Sequence, residues 1–384
     1  MKLMKLLLNS ITIKLFFFII VILLLIPKQL FAFEVTHQIR PGSVFETTAL
    51  NNACSTMKGS LFSSRCNPAL FETSKEQGIY LSLVSKAEGD SIDNGRDLIF
   101  KPITEEVIRR LLQERNFNSF TFNGEVVFKN RFFELSYSPY YLLADLYIFN
   151  PAFLEVSIHL ANIETLRLTH GRGILKYSPF KDSGNDLQFN LSLGSSLFYY
   201  EHSFENIIIS LYDLSYKKAT ELITFKTIYG TAADVGLFLD NNNKYIPTIS
   251  AQVKNINSKI NEGKKDANSK SSLYQSTLLL FDTYSSIGIG KNFNTILGGF
   301  NLDIELPFTS FYQELVAEQI TLGCKYSLSL FSLFFGLAKY YQNIGLRFDS
   351  SNFNIGIIYA REEDMGKLQP KLEQTIYLGV DIIL

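Results

Sequence analysis

One short run of the sequence carries residue types that could support hydrolysis. In "PAFLEVSIHLAN", Glu155, Ser157 and His159 supply the acid, hydroxyl and imidazole of a Ser-His-acid hydrolase. The run alternates polar and apolar residues, which predicts a β-strand. Side chains at positions i, i+2 and i+4 of a strand lie one after another on the same face, and this arrangement does not make a proton relay. We therefore interpret the three as polar residues lining an interior, and predict that the chain is not an enzyme.

Other chemical signals are missing from the sequence. The four histidines (37, 159, 170 and 202) and three cysteines show none of the spacings of metal sites. "GIGKNF" at 288–293 lacks the GxxxxGK[ST] pattern of a phosphate-binding loop. The 36 Lys and Arg residues are balanced by 37 Asp and Glu, with no basic stripe for nucleic acid. We predict no metal, no cofactor and no nucleic-acid partner.

The first 32 residues have the pattern of a secretory signal peptide. Lys2, Lys5 and Lys14 precede or open the apolar run "LFFFIIVILLLI", and Ala32 is a small residue suited to cleavage. The run is too short for a membrane-spanning helix, which needs about 20 apolar residues. We predict cleavage near Ala32; the alternative is an uncleaved N-terminal anchor.

The cysteines divide into two kinds. Cys54 and Cys66 lie in an irregular, loop-like region of a chain predicted to reach an oxidising compartment, which favours a disulfide between them. Cys324 lies in the apolar strand-like run "ITLGCKYSLSL" and is predicted to be a small apolar residue rather than a reactive thiol.

Period-two alternation dominates the chain from residue 79 onward. Phe and Tyr are abundant, 33 and 20 respectively, and no long apolar run follows the signal segment. This pattern predicts an all-β fold, namely a transmembrane antiparallel β-barrel of about 14 strands over 77–384. A soluble periplasmic all-β protein is the alternative. In a barrel, the charged residues Glu164 and Arg167 are predicted to line the lumen or to lie at the rims, because charge is costly in lipid.

Three segments depart from the strand pattern. Residues 33–76 are irregular. Residues 103–116, "ITEEVIRRLLQERN", predict one short amphipathic helix with acidic residues in its first turn. Residues 257–272, "NSKINEGKKDANSKSS", predict a long polar loop.

Three further stretches together resemble the FadL-type outer-membrane barrels, a superfamily of long-chain fatty-acid and aromatic-hydrocarbon transporters that includes type IX secretion shuttles and conjugal-transfer TraF-like members. The first is "NPAL", Asn67, Pro68, Ala69 and Leu70, just before the first strand. The second is "IPTISAQVKNI" at 246–256, and the third is the C-terminal third, with "YAREEDMG" between two strands. Transporters of the family carry Gly where Leu70 stands.

The resemblance implies a location, a partner and a role. It places the chain in the lipid of a Gram-negative outer membrane, with residues 33–76 as a hatch inside the barrel and Asn67, Pro68, Ala69 and Leu70 as its turn. It implies passive transport or binding of a hydrophobic, fatty-acid-like small molecule. The alternative is a non-transporting outer-membrane scaffold or shuttle whose partner is a protein of a secretion or conjugation apparatus.

Overall fold

The computed structural model describes residues 44–74, 77–88, 118–150, 155–178, 187–210, 226–243, 245–262, 283–294, 298–309, 320–338, 341–364 and 371–384. The predicted signal peptide, the predicted helix over 103–116 and most of the predicted polar loop lie outside these residues. The strand that precedes the loop runs to Glu262, so residues 257–262 belong to a strand.

The chain forms a closed barrel of fourteen antiparallel strands, which confirms the predicted fold class. Every strand pairs with the next along the chain, and the last strand pairs with the first. The strands are β1 (Gly78–Glu88), β2 (Asn118–Lys129), β3 (Glu134–Asn150), β4 (Glu155–Tyr177), β5 (Phe189–Ser210), β6 (Lys226–Asn241), β7 (Thr248–Glu262), β8 (Tyr284–Asn294), β9 (Gly299–Thr309), β10 (Thr321–Ser327), β11 (Phe331–Leu337), β12 (Tyr341–Asp349), β13 (Phe353–Asp364) and β14 (Lys371–Ile383).

The fourteen strands together are here called the wall. Side chains alternate along each strand between the outer and the inner face of the wall. In β11, Leu333 and Phe335 are exposed on the outside, whereas Ser332 and Phe334 are buried inside. The same order recurs in β4, where Leu166 and Leu168 face outward, and in β13, where Ile355 and Ile357 do. A closed sheet pairs its backbone groups internally, which is the condition for a strand to lie in lipid.

The two ends of the barrel differ. One end carries the short connections 130–133, 328–330 and 350–352, and there Leu384 N donates to Ile79 O at 2.9 Å. We call this end the hatch end, because residues 44–74, described below, lie in that half of the lumen. We call the opposite end the far end. Within the part of the chain that the structure describes, no helix is long and apolar enough to cross a bilayer.

The register of the described strands is irregular at four seams of the wall, namely β2/β3, β3/β4, β4/β5 and β6/β7. Shifts occur between β2 and β3 at Gly124/Val126 and between β3 and β4 at Ser138/Leu142. The second contains Pro139, which has no N–H to donate to a ladder. Two more occur between β6 and β7, where Asn255 has a positive φ of 59°. Such bulges bend a strand and loosen its pairing locally.

Candidate functional site

Residues 44–74, here called the hatch, lie inside the barrel and are mostly buried. They form a short helix over Phe45–Ala49, a second over Ser63–Cys66 and a 3-10 helix over Pro68–Thr73. The Sγ atoms of Cys54 and Cys66 are bonded at 2.04 Å. Helices this short are not stable on their own. The disulfide and contacts with the wall must therefore hold the hatch in place.

The turn at Asn67 joins the hatch to the wall. Its side-chain Oδ1 accepts a hydrogen bond from Ala69 N at 2.9 Å and so caps the 3-10 helix that begins at Pro68. Its Nδ2 donates to the carbonyl oxygen of Leu237 in β6 at 3.1 Å. Asn67 is fully buried. One amide thus ends one segment, begins the next and attaches both to the sheet.

A ring of glycines lines the wall where the hatch crosses it. The glycines whose nearest neighbours are hatch atoms are Gly171, Gly173, Gly194, Gly236, Gly288, Gly290, Gly323, Gly336, Gly356 and Gly379. At Gly194 a Cβ would collide with three backbone atoms of the hatch, which belong to Pro68 and Ala69. Most of these glycines lie a few residues from the hatch end of their strands, so the hatch occupies that half of the lumen.

A buried ionic cluster holds the second half of the hatch. Arg65 Nη2 lies 2.5 Å from Glu125 Oε1 and 3.5 Å from Glu134 Oε1, and the side chains of all three are at most 3% exposed. Lys129 Nζ is 3.8 Å from Glu134 Oε2, which also accepts from Ser64 Oγ at 2.7 Å. Buried charges are tolerated only when paired and hydrogen-bonded. Removing any member leaves an uncompensated charge.

A second ionic cluster holds the first half of the hatch. Glu46 Oε1 lies 2.8 Å from Lys325 Nζ, and its Oε2 lies 3.6 Å from Arg347 Nη1. Ser60 Oγ donates to Glu46 Oε2 at 2.5 Å. Burial by itself raises the pKa of Glu46, but the two cations and the hydrogen bonds outweigh it and lower that pKa to about 2. Glu46 is therefore ionised in the docked hatch.

A third ion pair lies nearer to solvent. Lys58 of the hatch pairs with Asp240 near the hatch end of β6, and both side chains are partly exposed. The Lys58 Nζ also lies 5.8 Å from the ring centroid of Phe238. An exposed pair of this kind contributes little to stability.

An apolar layer covers the far side of the hatch. Phe45, Leu50, Met57 and Leu70 of the hatch belong to one buried hydrophobic cluster with wall residues beyond the glycine ring. Those wall residues are Val84, Ala161, Ile163, Phe198, Tyr200, Ala232, Ile358, Ala360 and Tyr377, together called the apolar layer. The middle of the lumen is therefore packed with apolar side chains, whereas the rim of the hatch is held by charge.

The structure places most of the predicted site residues. Asn67, Pro68, Ala69 and Leu70 are all buried at the turn of the hatch. Glu155, Ser157 and His159 lie in β4, but their side chains fall outside the description.

The two predicted lumen charges of β4 separate. Arg167 faces the lumen, where its Nη1 is 3.4 Å from Asp234 Oδ2. Glu164 does not line the lumen, so that part of its prediction is wrong: its carboxylate lies on the outer face and accepts from Tyr137 Oη at 2.6 Å. The reason is parity, because Glu164 is two and four residues from the outward Leu166 and Leu168 and therefore shares their face of the strand.

The sequence analysis does not identify the residues that fix the hatch. Arg65 and Glu46 are isolated charges in an irregular segment, and nothing there indicates a partner. Glu125 and Glu134 occupy inward positions of β2 and β3, flanked by outward apolar residues such as Val126 and Leu135. That alternation marks acids that must find partners inside a barrel, and it is the signal that could have found them.

Comparison with known proteins gives structural matches alone. No family model and no curated protein matches the chain. The toluene transporter TodX of Pseudomonas putida is 9% identical, with a TM-score of 0.44 over 90% of this chain and 98% of that one. A FadL homologue of Pseudomonas aeruginosa is 10% identical, with a TM-score of 0.42 over 89% and 98%. The CymD monoaromatic hydrocarbon channel is 8% identical, with a TM-score of 0.43 over 92% and 99%.

Proposed function

We propose that this chain is an outer-membrane barrel that binds a hydrophobic, fatty-acid-like small molecule and lets it pass by passive diffusion. The observation that carries the proposal is the apolar layer on the far side of the hatch, enclosed by a closed barrel. Transfer of an apolar molecule from water to such a surface is favourable by about 25 cal/mol per Å² of buried apolar area.

The outer face supports a location in lipid. Large apolar side chains are exposed on strands all around the barrel, including Leu168, Leu237, Phe335, Ile355 and Leu378. Soluble monomers rarely expose a contiguous apolar patch of more than a few hundred Å². A belt of this kind is matched by hydrocarbon.

Movement through the lumen requires a rearrangement, because the apolar layer packs directly on the hatch. Either the hatch shifts or the wall opens. The bulged seams at Ser138/Leu142 and Ala233/Val235 are places where the ladder of hydrogen bonds is already interrupted. The proposed mechanism therefore has no chemical step: the molecule partitions into the apolar layer and leaves when the hatch or a seam shifts.

A pair of neighbouring residues tests the ligand. Phe198 points into the apolar layer, and Tyr199 points outward. The purified protein in detergent is titrated with a fluorescent long-chain fatty acid and with toluene as competitor. We expect Phe198→Ala to weaken binding about tenfold through lost apolar contact, and Tyr199→Ala to leave it unchanged. Uptake of labelled fatty acid by cells that lack their own transporter provides the second readout.

The opposite result has a definite meaning. If the protein binds neither probe, does not restore uptake and co-purifies with a protein partner, the scaffold or shuttle alternative replaces transport. If the protein does not fractionate with outer membranes and does not migrate differently on gels before and after heating, the location in lipid is overturned as well.

A further inference from the structure

Two wall carboxyl groups lie buried against the hatch with no cation beside them. Asp303 and Glu305 occupy adjacent inward positions of β9 and are 0% and 6% exposed. Among the ion pairs of the described residues, none involves either side chain. The two other buried acid clusters, at Arg65 and at Glu46, are both neutralised by cationic side chains. Of these three clusters, the β9 pair alone has no cationic partner among the described residues.

Hydrogen bonds use only one oxygen of each carboxyl group. Asp303 Oδ2 accepts from the backbone N–H of Thr56 at 2.8 Å. Glu305 Oε1 accepts from Gln252 Nε2 at 2.7 Å and from Ser286 Oγ at 2.6 Å. Asp303 Oδ1 and Glu305 Oε2 have no hydrogen-bond partner. A buried carboxylate oxygen that is left unpaired is costly.

Two neutral oxygens beside the pair are also unused. Gln252 Oε1 and Thr56 Oγ1 have no hydrogen-bond partner, and both residues are more than nine-tenths buried. The Gln252 amide is held against Glu305 by its own Nε2, and Thr56 is held against Asp303 by its backbone N–H. The carboxyl pair is thus accompanied by one amide oxygen and one hydroxyl oxygen.

The hatch completes this cluster. Gly290 of β8 lies opposite Asp303 in the sheet, and a Cβ at Gly290 would collide with Thr56 Oγ1. The missing side chain lets the hatch hydroxyl reach the wall beside the carboxyl group. If the hatch moved away, Thr56 would leave and the two acids would remain on β9.

The donor set indicates which ligand would fit. Two carboxylates, an amide oxygen and a hydroxyl are the oxygen donors that Ca²⁺ accepts, with irregular geometry tolerated. None of the four side chains is a His or a Cys, the donors that zinc and copper favour. A divalent ion would also neutralise both acids.

We propose that Asp303, Glu305, Gln252 and Thr56 form a binding site for one divalent, oxygen-seeking cation at the contact between hatch and wall, and that the bound ion holds the hatch closed. This inference concerns the docking of the hatch and does not depend on which molecule crosses the lumen.

The test uses the full protein in detergent after treatment with EDTA, and Ca²⁺ as the probe. We expect saturable binding of about one Ca²⁺ per chain by calorimetry. The double variant Asp303→Asn/Glu305→Gln is expected to bind at least about tenfold more weakly. Thr56→Val, which leaves both acids in place, is expected to bind several-fold more weakly. Asp381→Asn is the matched control, because Asp381 is a buried wall acid that accepts from Ser82 Oγ at 2.7 Å and lies away from the cluster.

A second readout follows the hatch itself. Cleavage at Lys58 by the protease Lys-C is expected to slow in Ca²⁺ for the unmodified protein and for Asp381→Asn, but not for the double variant. The proposal is overturned if the unmodified protein shows no saturable binding of Ca²⁺. It is overturned equally if the double variant binds Ca²⁺ as tightly as the unmodified protein, because the ion would then be bound to lipid or to another part of the protein. It is also overturned if the acids prove to be held protonated, so that the double variant is as stable as the unmodified protein and Ca²⁺ affects neither. Should the double variant fail to fold, Thr56→Val decides: undiminished binding contradicts the site.

Discussion

The start of the hatch, at Phe45 and Glu46, and its turn at Pro68 are attached to the wall by different kinds of contact. At the start, the ring of Phe45 fills a recess beside Gly356 and Gly379, and Glu46 pairs with Lys325 and Arg347. At the turn, the backbone of Pro68 lies directly on Gly194, and nearby Arg65 is enclosed between Glu125 and Glu134.

This difference indicates where motion can begin. A phenylalanine ring can change its rotamer without moving the chain, whereas backbone against backbone cannot yield locally. The turn at Pro68 is therefore expected to be a fixed anchor, and the start of the hatch, at Phe45, is expected to release first. The predictions below test this order, from the largest expected effect to the smallest.

Removing Arg65 is expected to be the most damaging change. Arg65→Met leaves Glu125 and Glu134 buried with Lys129 as their remaining cation within the cluster. Loss of one partner from a buried ionic cluster costs about 4 kcal/mol, and we expect that decrease in the free energy of unfolding in detergent. Arg131→Met, at an exposed arginine near the same end, is the control. Adding Glu125→Gln and Glu134→Gln to Arg65→Met should restore much of the loss; no recovery would contradict the electrostatic account.

Acid should loosen the first half of the hatch. The pKa of Glu46 is lowered from 4.5 to about 2 in the docked hatch. Its contribution is therefore fully present above about pH 4.5 and is lost as the pH falls toward 2, by about 3 kcal/mol in total. Thermal unfolding followed between pH 6 and pH 2 should show this decline in the unmodified protein and a smaller one in Glu46→Gln. Equal slopes for the two proteins would contradict it.

Alanine at two glycines compares the contacts directly. Gly194→Ala drives a methyl group into the Pro68 backbone, and Gly356→Ala drives one into the Phe45 ring, which can rotate. We expect destabilisation of about 2 kcal/mol for the first and about 1 kcal/mol for the second. Gly299→Ala meets nothing within 4 Å and is the neutral control. A larger effect at Gly356 than at Gly194 would reverse the proposed order of release.

The Lys58–Asp240 pair should contribute least. Both side chains are more than a fifth exposed. Lys58→Ala is expected to lower the free energy of unfolding by less than about 1 kcal/mol, and the effect should shrink further in high salt. A loss as large as that of Arg65→Met would show that this pair, too, is a main anchor.

Much of the wall could be predicted from the sequence, and little of the hatch. The alternation of apolar and polar residues determines which side of a strand meets the outside, so the barrel follows from patterns such as that of 331–337. Glu164 shows the limit of reading charge alone, because its parity with Leu166 outweighs its polarity.

The hatch lacks any such period. Its position depends on residues that are distant in sequence, as when Lys325 meets Glu46 or Asp303 meets Thr56. The Asn-Pro turn was visible because proline and asparagine act locally. The recess at Gly194 was not visible, because the need for a glycine appears only when another segment crosses it.

The seam between β1 and β14 limits the order of assembly. Ser82 and Asp381, which meet across it, are 299 positions apart in sequence, so this pairing is slow to form relative to the hairpins. The hatch directly precedes β1 and is stapled by its own covalent link. Once β1 and β14 have paired and the barrel is closed, a folded and cross-linked hatch can no longer be threaded into it. The hatch must therefore be in place while the sheet is still open, and the later hairpins can then assemble around it.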